Sequence, residues 1–74
     1  MSSLRSQLLL LHDAINVGRT AMRHVAVDVR RLAETKAPGA ERARLNLDAR
    51  RLTASEARLA VATAALEWSL RFLR

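Results

Sequence analysis

The amino-acid sequence predicts an all-α fold, an antiparallel hairpin of two long helices packed in coiled-coil fashion. Three observations carry this expectation. The chain is rich in alanine, leucine and arginine, all strong helix formers, and it holds only two glycines, one proline and the two aromatics Trp68 and Phe72. One stretch of breaker residues, ETKAPGAE from Glu34 to Glu41, divides it into two similar halves. Apolar residues recur with a period of seven in both halves.

The first half supplies Leu4, Leu8, Leu11, Ile15, Gly18, Met22, Val25, Val29 and Leu32, at alternating spacings of four and three. Only Gly18 interrupts the apolar character of this seam. It predicts a helix over about residues 3–36. Pro38 disfavours helix at Ala37 and suits the first turn of a new helix. Lys36 at the end of the first helix and Glu41 at the start of the second have the signs that the helix dipole favours. The turn is therefore expected at about residues 36–40 and the second helix over about residues 38–72.

The second half carries Leu45, Leu52, Leu59, Leu66 and Leu73 at every seventh position, with Ala49, Glu56, Thr63 and Leu70 between them. Pairing Leu4 with Leu73, Leu11 with Leu66, Gly18 with Leu59, Val25 with Leu52 and Leu32 with Leu45 gives a constant index sum of 77. Its midpoint falls between Pro38 and Gly39, where the breaker residues independently place the turn. Seam patterns of this kind fix the register to about one helical turn. The stretch TASE, Thr53 to Glu56, matches a capping box. The leucine period runs straight through it, so one continuous helix is expected there.

Composition bounds the class of molecule. A chain of 74 residues forms one small domain, here expected over residues 1–74. Domains of this size bury only about 60% of the surface that their unfolded chains expose, and they commonly need disulfides, metals or association. There is no cysteine, which leaves helix packing and self-association. The opening MSSLRSQLLLLHDA has an apolar run too short for a secretion signal, and no stretch is long enough to span a membrane. A cytoplasmic protein is expected, and the arginine–alanine bias is that of a GC-rich bacterial or phage coding sequence.

A second periodic series marks the back of the second helix: Leu47, Ala54, Val61 and Trp68, each two positions past a seam leucine and about 200° around the axis. Beyond Arg58 nearly the whole circumference is apolar, and a helix apolar all round is buried on more than one side. Leu9, Leu10, Ala14 and Val17 widen the apolar face of the first helix at the same end. The expected partner surface is therefore Leu9, Leu10, Ala14, Val17, Val61, Ala65, Trp68 and Phe72. It would complete a four-helix bundle with a second copy, or cover a helical segment of a larger protein.

Three residues break the seam: Gly18, Glu56 and Thr63. Polar residues at seam positions can fix register or oligomeric state. Arg19 and Arg23 are the expected partners of Glu56, and Gly18 would permit a close helix approach or admit a partner's side chain. Residues 28–58 hold eight of the thirteen basic groups but also five of the seven acids, so the turn end reads as a solvated face. Pairs at helical spacing such as Arg30 with Glu34 and Asp48 with Arg51 fit that reading. Arg30, Arg31, Arg42, Arg44, Arg50 and Arg51 form the candidate anion patch, with no aromatic among them to stack on bases.

The chemistry of catalysis is missing from the sequence. No nucleophile adjoins a base, no glycine-rich phosphate loop is present, and His12 and His24 lie about 120° apart around one helix. No catalytic residue, cofactor or metal is expected. The expected function is a non-enzymatic interaction module, an adaptor, small chaperone or assembly subunit. A small basic nucleic-acid-binding protein is the alternative, and membrane binding fits less well than either.

Overall fold

A computed structural model of the chain describes residues 3–73. Two helices, α1 (Leu4–Glu34) and α2 (Ala40–Phe72), pack against each other as a hairpin 56 Å long, 18 Å wide and 13 Å thick. Residues 1, 2 and 74 of the expected domain lie outside the described residues.

Local chemistry sets the helix ends. The Ser3 hydroxyl accepts from the Ser6 N–H at 3.1 Å and caps α1. At the other end the N–H groups of Thr35 and Lys36 turn back to the carbonyls of Leu32 and Ala33, both at 3.1 Å. The Thr35 hydroxyl donates to the Leu32 carbonyl at 2.6 Å. These bonds end α1 two residues before the expected boundary. Pro38 lies in the turn ahead of the cap residue Gly39 rather than inside α2, so α2 begins two residues later than expected. Gly39 offers no side-chain cap. Glu41 in the first turn compensates the dipole and meets Lys36 across the turn at 3.5 Å.

α2 runs unbroken through Thr53–Glu56, as its leucine period requires. The Thr53 hydroxyl bonds back to the Ala49 carbonyl at 3.0 Å, which satisfies it within the helix. The seam of α2 is the one its period indicates: Leu45, Leu52, Leu59 and Leu66 are half-buried, and Ala49 and Thr63 are buried.

The seam of α1 needs correction. Leu8, Ile15, Met22 and Val29 face α2 as expected, and all are half-buried. The second row of the seam is not Leu4, Leu11, Gly18, Val25 and Leu32. It is the row one position later, His12, Arg19, Ala26 and Ala33, of which Ala26 and Ala33 are buried. Leu4, Leu11, Val25 and Leu32 remain 47–60% exposed. Two physical reasons favour this rotation. Alanines at 26, 33 and 49 let the backbones approach near the turn, and Arg19 and His12 are brought within reach of Glu56 and Glu67. The cross-hairpin contacts Arg5–Leu73, His12–Glu67, Arg19–Glu56 and Arg30–Thr53 have index sums of 78, 79, 75 and 83, which centre within about one helical turn of the expected 77.

Candidate interaction surface

α1 is strongly amphipathic, whereas the apolar residues of α2 are spread around its whole circumference. Two helices in one layer cannot cover both. Among the described residues four are buried, Ala26, Ala33, Ala49 and Thr63, and no large side chain is fully enclosed. Twelve large hydrophobic residues are exposed.

The two long edges of the hairpin differ in chemistry. One edge is closed by polar contacts. His12 Nε2 lies 2.9 Å from Glu67 Oε1. Arg19 Nε donates to Glu56 Oε1 at 3.0 Å, with Arg23 Nε at 3.8 Å from the same oxygen. Arg30 donates to the Thr53 hydroxyl at 3.2 Å. On α2, Thr53 and Glu67 follow a seam leucine by one position, about 100° around the axis.

The other edge is apolar on α1 and carries small or polar residues on α2. On α1 it carries the displaced row Leu4, Leu11, Gly18, Val25 and Leu32, about 40–60° from the Leu8 row on the side away from His12. On α2 it carries the row three positions after each seam leucine: Asp48, Ser55, Ala62 and Ser69. Large residues on one helix thus flank small ones on the other. Among the described residues nothing covers the Leu4, Leu11, Val25 and Leu32 row of this edge.

The eight residues expected to form one partner surface are all exposed, but the fold does not gather them. Leu10 and Val17 lie on the outer back of α1, and Val61 and Trp68 on the outer back of α2, on opposite sides of the hairpin. Leu9 falls at the polar edge. Ala14, Ala65 and Phe72 border the apolar edge. Trp68 and Phe72 make an edge-to-face contact with ring centroids 5.2 Å apart, and the Arg71 guanidinium stands 5.9 Å from the Trp68 ring. The residues of the apolar edge have the spacing of a seam, so their period alone does not mark them as a surface. The signal that distinguishes them is the alanines at 26 and 33, which offer the closer approach.

The three seam-breaking residues have separate roles in the geometry. Glu56 is 16% exposed and paired with Arg19 and Arg23. Thr63 is buried, and its hydroxyl bonds to the Leu59 carbonyl at 2.9 Å in its own helix, so it makes no cross-hairpin bond. A Cβ at Gly18 in α1 would meet nothing within 4 Å, so the approach of α2 does not require glycine there.

The turn-end arginines are also dispersed. Arg30 is engaged at the polar edge, Arg42 is half-buried, Arg31 lies on the back of α1, Arg50 on the outer back of α2, and Arg44 and Arg51 border the opposite edge. Among the described residues the expected pair Arg30–Glu34 is not formed, since Arg30 reaches across to Thr53 instead, and Asp48 and Arg51 are not paired either. A shallow open depression of about 460 Å³ on the outer side of α1 is lined by Asn16, Val17, Thr20, Ala21 and His24, with nothing from α2. Among the described residues no group of three or more His, Cys, Asp or Glu is placed to hold a metal ion, and no helix is long and apolar enough to cross a membrane. Neither the protein-family models, the curated proteins nor the solved structures compared with this chain match it.

Proposed function

We propose that the chain is a non-enzymatic interaction module whose helical hairpin is completed by further helices, from a second copy or from a larger partner. The observation that carries this reading is the uncovered apolar edge formed by Leu4, Leu11, Val25 and Leu32, beside an opposite edge closed by hydrogen bonds and ion pairs. Fully burying a side chain of this size is worth about 1.5–3 kcal/mol, so a row of four half-exposed residues is a substantial driving force for association. A chain this small has few other sources of stability.

The adaptor, chaperone and assembly-subunit versions of this reading share one physical act, the covering of an apolar helix face. The nucleic-acid alternative lacks a comparable support, since its arginines point several ways around the hairpin. A photo-crosslinking residue at Leu11 or Val25, introduced in the cells that make the protein, tests the reading. A protein adduct of defined mass is expected from both positions. Silence at both, with the chain folded, overturns it.

A further inference from the structure

We infer that the occupant of the apolar edge is a second copy of this chain, docked about a two-fold axis parallel to the hairpin, with both turns at the same end. The inference rests on the interaction-module reading and names its partner.

The first argument is shape. The apolar edge presents large side chains on α1 and small ones on α2. A copy rotated about an axis along the hairpin lays each α1 over the α2 of its mate. The cross-hairpin contacts set position i of α1 level, to within about one helical turn, with position 78 minus i of α2, and this rotation preserves levels. Leu11 then meets the partner's Ser69, Gly18 the partner's Ala62 and Val25 the partner's Ser55, each within about one helical turn. Large residues enter gaps above small ones, as knobs-into-holes packing requires. An axis across the hairpin instead sets α1 on α1, with Leu11 against Val25 and the small rows of α2 facing each other over a gap.

Charge supports the same axis. Asp28 and Arg51 both border the apolar edge, and neither has an ion-pair partner among the described residues. The parallel axis brings Asp28 level with the partner's Arg51, twice per dimer. The rotation across the hairpin brings Asp28 near position 8 and leaves Arg51 opposite uncharged residues. Area is sufficient too. The rows of the apolar edge, carried by both helices, lie on one broad side of the hairpin, 56 by 18 Å, which projects about 1,000 Å², against roughly 800 Å² per partner in a standard stable interface.

Sedimentation equilibrium of the full chain across the micromolar range tests this, with helicity followed by circular dichroism. A dimer is expected. Leu11→Glu combined with Val25→Glu should abolish it while helicity persists, since both residues are half-exposed in the single hairpin. Asp28→Arg should weaken the dimer about tenfold, and adding Arg51→Asp should restore it. That swap changes only exposed side chains, so it stays informative where the apolar variant does not fold. A swap that fails to restore the dimer overturns the axis. A dimer lost with Val61→Glu and kept with the Leu11 and Val25 changes overturns the face. A monomer at every concentration overturns the second copy as occupant, and the crosslinking result at Leu11 and Val25 then decides the module reading separately.

Discussion

Arg19 and Glu56 join the middles of the two helices through a hydrogen bond of 3.0 Å from Nε to Oε1, with side chains 22% and 16% exposed. The pair stands between two regimes. Exposed pairs are worth under about 1 kcal/mol, whereas breaking a fully buried one costs about 3–5 kcal/mol. Glu56→Ala strips Arg19 of its partner and is expected to cost about 1–2 kcal/mol in denaturant unfolding at fixed chain concentration. Replacing both members, Arg19→Leu with Glu56→Leu, should recover most of that loss. A double variant as unstable as the single one would show that the pair contributes net attraction rather than relieving mutual desolvation.

His12 links the fold to pH. Its Nε2 hydrogen bond to Glu67 holds the imidazole above its ordinary value of 6.5, and Asp13 acts in the same sense against the opposing effect of burial. A raised value means that the folded state favours the protonated ring. The resulting stability is complete below pH 6.5 and is lost as pH rises through the raised value. The unfolding midpoint is therefore expected to fall across this window in the wild type, and to fall less in Glu67→Gln. Proton resonance titration of the His12 ring gives a direct reading. A midpoint at or below the ordinary value would remove the basis for the effect.

Much of this architecture was legible in the sequence. The alanine–leucine–arginine composition, the breaker stretch around Pro38 and the matched periods of seven point to a two-helix hairpin. The Leu45 row of α2 faces inward as its spacing requires. The rotation of α1 was not legible, because Leu8, Ile15, Met22 and Val29 form a seam equally well with the row before them or the row after. Leucine at 4, 11 and 32 argues for the first choice on hydrophobicity alone. The structure takes the second, where Ala26 and Ala33 allow close approach and where His12 and Arg19 meet acids. Hydrophobic period identifies a face. Steric fit and polar pairing decide which flank of that face turns inward. The expected partner surface dispersed for a related reason: period seven reports position around one helix, and Val17 and Val61 share a phase only on separate helices that point outward.

Two small residues offer the sharpest test of that rotation. Ala49 is fully buried on the seam of α2, level with Val29, where the three alanines permit the close approach. Gly18 lies on the open edge, where an added methyl meets nothing within 4 Å. Their responses to enlargement should have opposite signs. Ala49→Leu forces side chains into a closed space and is expected to cost about 1–3 kcal/mol. Ala57→Leu, on an exposed part of the same helix, is the control and should stay within about 0.5 kcal/mol of zero. Gly18→Ala relieves the entropic cost of glycine within a helix and should gain about 0.5–1 kcal/mol. These values are best read by thermal and denaturant unfolding in the Leu11→Glu, Val25→Glu background, so that only packing within one hairpin contributes. If α1 instead turned its Leu11 row inward, Gly18 would sit against Leu59 and its replacement by alanine would destabilise. A loss of stability at Gly18, with Ala49→Leu tolerated, would therefore reverse the assignment of the two edges.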